Sequence, residues 1–177
     1  MFISTLDSVG AVIKTYGWIT YGGKNGDEWC WIDTDTMEKP EKPVYFDPGE
    51  GLWVEGDSED NIFVTKGKVS TSDLLVKLRS GATMTGNFTP VQIELQDITC
   101  HEADSDLVFI STLDSVGAVI KTYGWITYGG KNGDEWCWID TDTMEKPKKP
   151  VYFDPGEGLW VEGDSEDNVI TFPGVEL

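Results

Sequence analysis

Residues 11–33 read AVIKTYGWITYGGKNGDEWCWID, and residues 118–140 repeat the same letters without a change. The stretch divides into a run rich in β-branched and aromatic residues, a glycine-rich centre and a second such run. Asn25-Gly26 tolerates the positive φ angles of a tight hairpin, so the reading is two antiparallel strands joined by a turn over 21–27. Within 28–33, alternation sends Trp29 and Trp31 to one face and Cys30 and Ile32 to the other. Both faces are apolar, which predicts a central strand covered on both sides. Tyr16 and Trp18 alternate likewise on the preceding strand, which predicts a cross-strand aromatic ladder.

The identity extends well beyond the hairpin. Residues 2–61 recur as 109–168, sixty residues at an offset of 107, and the only difference is Glu41 against Lys148. Self-similarity on this scale decides the architecture before any local pattern does. Further strands are predicted at 2–6, 44–46, 52–55 and 62–65. They are separated by a polar loop over 34–43, where Pro40 and Pro43 cannot donate to a ladder, and by the turn Asp47-Pro48-Gly49-Glu50-Gly51. Residues 169–172, the counterpart of 62–65, differ in sequence but remain strand-like.

Between the copies, residues 68–107 contain no Trp and carry little of the net charge. Here 74–78 and 91–95 read as strands, 81–90 as turn-rich and 100–106 as a loop. Nothing supports a long amphipathic helix. The expected fold class is all-β, as tandem duplicated small β-sandwich or incomplete-barrel modules: a first copy over 1–67, a linking segment over 68–107 and a second copy over 108–177. The linking segment is free to pack with either neighbour. A first copy short of strands would present an open edge for homo-oligomer formation through strand pairing.

A net charge of −19 on 177 residues repels phosphate backbones and anionic lipid, which excludes nucleic acid and bare membrane as partners. No apolar run approaches the ~18 residues of a membrane helix. All eight Trp lie in the repeated stretches, a composition far from that of disordered chains. Of three cysteines, Cys30 and Cys137 are equivalent and Cys100 is unmatched; they make no disulfide framework and read as free thiols. Met1 stands where the second copy has Val108, and no signal peptide precedes Phe2. The expectation is a fragment of a longer exported protein, extracellular or at the cell surface.

Residues 48–54 and 155–161 both read PGEGLWV. A Pro-Gly-x-Gly turn leading into an aromatic strand, with a second strand ending as Thr171-Phe172-Pro173-Gly174-Val175, resembles tandem PGEGLWV-type β-repeat modules of bacterial secreted and cell-surface proteins. Residues 79–91, RSGATMTGNFTPV, resemble the segment that opens the next module in such arrays. The resemblance covers most of the chain and implies extracellular tandem β-modules without a defined activity. Lys66 stands where the pattern has Pro, and the first copy lacks the opening segment.

Two side-chain groups are candidates for binding. Tyr21, Trp29, Trp31 and Asp33, with their counterparts Tyr128, Trp136, Trp138 and Asp140, suit a sugar platform, in which aromatic faces stack on C–H surface and carboxylates bind hydroxyls. The competing role for the same aromatics is to fill a thin core. Asp57, Glu59 and Asp60, with Asp164, Glu166 and Asp167, offer clustered oxygens of the kind calcium prefers, as does Asp33-Thr34-Asp35-Thr36; none matches an EF-hand loop. The expectation is no cofactor, with calcium as the one metal considered. His101 is the only histidine, no Gly-x-Ser-x-Gly motif occurs, and Cys100-His101 are neighbours on opposite strand faces. The expected function is a non-catalytic repeat module acting as spacer, adhesion or assembly element on a glycan or protein surface. The alternative is a carbohydrate-binding module duplicated for avidity.

Overall fold

The computed structural model describes residues 1–6, 11–23, 26–46, 52–56, 71–78, 81–101, 108–130, 133–165 and 167–175. Their strands come in three groups. The first copy supplies β1 (Phe2–Leu6), β2 (Val12–Gly23), β3 (Gly26–Asp33) and β4 (Leu52–Glu55). The linking segment supplies β5 (Leu74–Lys77), β6 (Gly81–Gly86), β7 (Ile93–Glu94) and β8 (Thr99–His101), with a 3-10 turn at Leu95–Asp97. The second copy supplies β9 (Val108–Leu113), β10 (Val119–Gly130), β11 (Gly133–Asp140), β12 (Tyr152–Phe153), β13 (Gly158–Gly163) and β14 (Val169–Phe172). The protein is all-β and its named strand pairs are antiparallel, with no α-helix among the described residues.

Identical residues adopt identical registers. Trp18 lies opposite Trp31 and Gly23 opposite Gly26; in the second copy Trp125 lies opposite Trp138 and Gly130 opposite Gly133. The first sheet runs β3-β2-β1-β4 and the second β11-β10-β9-β13-β6. The 28–33 strand, expected to be central, therefore sits at the sheet edge in both copies. In the second copy both of its faces are nonetheless covered, since Trp138 and Ile139 are buried. Apolar residues on both faces report packing above and below the sheet, and that is independent of a strand's lateral position.

All four linking strands pair with the second copy. β6 extends its sheet beside β13, β7 pairs with β12, and β5 and β8 flank β14. The turn-rich reading of 81–90 gives way to a six-residue strand followed by a turn. Of the strand read over 91–95 only Ile93–Glu94 is strand; Ile93 and Leu95 are buried, but Val91, which alternation sets on the same face, is exposed. Leu95 N–H still donates to the Val151 carbonyl at 2.8 Å, in register with the ladder, and the chain then leaves it in the 3-10 turn that Ile98 N–H closes onto the Leu95 carbonyl at 3.2 Å. Residues 99–101, part of which read as loop, are strand, and 102–107 lie outside the described residues. Val44-Tyr45-Phe46 belongs to no named strand, although its counterpart forms β12, where β7 supplies a partner. The predicted strand at 62–65 and the turn at 47–51 lie outside the described residues.

Directly paired residues share a face, which fixes the core. Val108, Ile110, Tyr123, Trp125, Trp138, Leu159 and Val161 line one face of the second sheet. They pack in one cluster with Val76, Leu78, Ile93, Leu95, Ile98, Cys100, Phe153, Ile170 and Phe172. Each large side chain buried in this way contributes about 1.5–3 kcal/mol. The linking segment thus supplies a large share of the second copy's core. The two copies meet where the Trp53 ring lies on Gly117. That glycine takes φ +82, and a Cβ there would come within 2.7 Å of the ring.

Candidate functional site

The aromatic ladder forms in both copies. The Trp18 and Trp31 ring centroids are 5.3 Å apart and tilted, and Trp18 stacks on Trp29 at 6.4 Å. In the second copy Trp125 lies 5.2 Å from Trp138 and 6.2 Å from Trp136. The predicted platform residues do not all come together. Tyr21 pairs with Glu28, and Tyr128 with Glu135, one position out of phase with the tryptophans, so both tyrosines point to the opposite face.

Trp138 is a core residue and presents no platform. It is fully buried, and its indole Nε1 donates to the Ile98 carbonyl at 2.7 Å. Gln96 also reads its backbone, donating to the Trp138 carbonyl at 2.9 Å and accepting from its N–H at 3.3 Å. Trp31, its counterpart, is half-buried, whereas Trp29 is 61% and Trp136 38% exposed. Of the eight named residues, only Trp29 and Trp136 combine an open ring face with a stacked aromatic neighbour.

Asp33 and Asp140 serve a structural role. Lys14 donates to Asp33 at 2.7 Å and to Asp35 at 2.8 Å; Lys121 donates to Asp140 at 2.9 Å and to Asp142 at 2.6 Å. Asp33 Oδ1 also accepts from the Asp35 N–H at 2.9 Å, ordering the turn that Met37 closes with φ 59. A lysine between the carboxylates disfavours calcium at Asp33-Thr34-Asp35-Thr36. The hydrogen bond from Lys121 holds the Asp140 carboxyl below its ordinary 3.8; partial burial opposes this, and the Asp142 N–H reinforces it. Lys121 is correspondingly raised above 10.5, first by Asp140 and then by Asp142.

The folded Asp140 titrates below its unfolded value. Its contribution is therefore present above the ordinary carboxylate range and fades as pH falls through the folded pKa. Lys121→Met is expected to move the Asp140 midpoint upward in an NMR carboxyl titration. An unmoved midpoint would contradict the assignment.

Asp57, Glu59, Asp60 and Glu166 lie outside the described residues. Asp164 accepts a 3.4 Å hydrogen bond from Asn168, and Asp167 N–H donates to Ser165 Oγ at 3.2 Å. Among the described residues no three histidine, cysteine or acidic side chains converge as a metal site. Cys30, Cys100 and Cys137 form no disulfide, and burial pushes the Cys137 thiol up, away from nucleophilic character. A shallow depression of about 160 Å³ lies between residues 94–96 and 147–151. Its lining contains no histidine, cysteine or serine, and it includes Lys148, the position at which the copies differ.

The residue that sequence reasoning missed is Asn87, fully buried in the linking segment. It donates to the Val91 carbonyl at 2.7 Å and the Phe153 carbonyl at 2.9 Å, and accepts from Thr89 N–H and Oγ1. Only the three-dimensional approach of residue 153 distinguishes it from an ordinary turn asparagine. No helix among the described residues is long and apolar enough to cross a membrane. Comparison with protein-family models, with curated proteins and with solved structures finds no match to this chain.

Proposed function

We propose that this chain is a non-catalytic repeat element of a bacterial secreted or surface protein, built from tandem β-modules and acting as spacer, adhesion or assembly unit. The observation that carries the reading is where the recurring tryptophans go. One register recurs in both sheets, and Trp125 and Trp138 are spent on the core that the linking segment completes. Asp33 and Asp140, the carboxylates beside them, are spent on lysines. The PGEGLWV sequences at 48–54 and 155–161 support the extracellular placement.

A second reading, a carbohydrate-binding module, is favoured by Trp29 and Trp136, each stacked on a neighbour and still exposed. Base-free, metal-free sugar recognition of that type gains from two equal sites. A glycan array probed with the intact chain separates the two. The leading reading predicts no saccharide signal that depends on Trp29 and Trp136. A signal lost in Trp29→Ala/Trp136→Ala, with the circular-dichroism spectrum unchanged, would replace it with the second. Turnover of a glycan or peptide library abolished by one carboxylate substitution would overturn both.

A further inference from the structure

The two sheets share sequence and register, yet their core faces are covered differently. Trp125 is 7% exposed and Trp18 37%; Val161 is fully buried and Val54 is 40% exposed. Leu159 and Phe153 are buried where Leu52 and Phe46 are half-buried. The lateral edge differs in the same sense. β13 is paired on both sides, by β9 and β6, whereas β4 pairs with β1 alone among the described strands. What covers the second face is visible in the same molecule: Val76 and Leu78, Ile93, Leu95, Ile98 and Cys100 from the linking segment, gathered around Phe153, Ile170 and Phe172 of the second copy, whose β14 holds β5 and β8 on either side.

We infer that the core face and β4 edge of the first copy are an acceptor surface for a separate polypeptide stretch with the chemistry of residues 71–101. The second copy supplies the template for each contact. A strand like β6 lies beside β4, placing a Thr83 equivalent opposite Val54 and a Thr85 equivalent opposite Leu52, as they lie opposite Val161 and Leu159. Alternating apolar residues on the incoming strands fill the face between Trp18 and Val54.

A second copy of this chain is the less fitting occupant. Each chain carries one covering segment and two faces of the same sequence. Moving residues 71–101 from one face to another uncovers as much surface as it covers. Strand exchange between chains therefore gains no net burial. The proposal uses only the geometry of the two sheets and does not depend on the surface-protein reading.

The test extends the full chain at Met1 with a second copy of its own residues 71–107, joined as Leu107 joins Val108. Amide exchange is then followed by NMR, with sedimentation velocity on the chain with and without the extension. The expected result is exchange slowed by about 100-fold at β4 and across the Trp18–Trp31 pair in a monomer. An extension carrying Leu78→Asp and Ile98→Asp is expected to give no slowing. No protection in the extended chain, or equal protection with the aspartate-bearing extension, overturns the proposal. So does a dimer of the original chain that protects β4 to the same degree, since it assigns the face to a second copy.

Discussion

Trp138→Ala is expected to destabilise the protein by about 3–5 kcal/mol, while Trp31→Ala, the same substitution in the same local sequence, costs about 1–2 kcal/mol. The difference comes from the surroundings. Trp138 is fully buried in the core cluster that also holds Ile98, Leu95 and Val76, so its removal leaves a cavity that the backbone cannot collapse. It also leaves the Ile98 carbonyl without its 2.7 Å donor, a further cost of about 1–3 kcal/mol for a buried acceptor, which places the loss at the upper end. Trp31 retains solvent on one side and forfeits less packing. Urea denaturation read by circular dichroism measures both. Since whole domains have only about 5–15 kcal/mol in hand, Trp138→Phe is the companion variant. It keeps most of the ring volume, removes the donor and is expected to lose about 1–3 kcal/mol. Equal losses at Trp31 and Trp138 would contradict the asymmetric covering.

Asn87→Ala is expected to cost about 2–4 kcal/mol. The side chain ties the end of β6 to residue 91 and to Phe153, and its own N–H and carbonyl bond Glu157 and Gly156 at 3.0 and 2.8 Å. Alanine removes both amide donors from the carbonyls and the acceptor from Thr89, and a 0% exposed site admits no solvent to replace them. Asn87→Asp sharpens the test. The shape is kept, but a second oxygen then faces the carbonyls of Val91 and Phe153, which raises the carboxyl's folded pKa. Stability should accordingly fall further as pH rises through about 4, the unfolded carboxyl value. A neutral Asn87→Ala in thermal denaturation would show that the turn holds without its amide network.

The hairpin was legible in residues 11–33 because β-branched and aromatic runs and an Asn-Gly turn act locally. The aromatic ladder followed from alternation alone, and all-β character followed from short strands closely punctuated by turns. Three features were not legible, each for a physical reason. The edge position of β3 and β11 is set by which strand arrives laterally, and side-chain alternation carries no record of that. β6 was hidden because the glycines at its two ends, Gly81 and Gly86, read as turn. A strand packed at its end against the Glu157 carbonyl needs small residues, for a Cβ on Gly86 would sit 2.5 Å from it. The strand state of Tyr152-Phe153, against the strandless Tyr45-Phe46, is invisible in principle, because the two pairs are the same letters with different partners.

The candidate site divides the same way. Alternation correctly grouped Trp29, Trp31 and Asp33, and the same rule separates Tyr21 from them once the pairing with Glu28 is known. Whether a tryptophan is platform or core depends on residues 95–98 arriving from elsewhere in the chain. Asp33 and Asp140 read as sugar-binding carboxylates because Lys14 and Lys121 are distant in sequence and adjacent only across the sheet.

The central claim is that one sequence occupies two burial states because residues 71–101 help to complete the second copy and leave Trp18 and Val54 of the first exposed, while Ile3 between them stays buried. Its most direct test is the response of the tryptophan indole NMR signals to a soluble paramagnetic probe. The account predicts strong broadening of Trp18 and Trp29, with Trp125 and Trp138 left sharp. Equal broadening of Trp18 and Trp125 would contradict it.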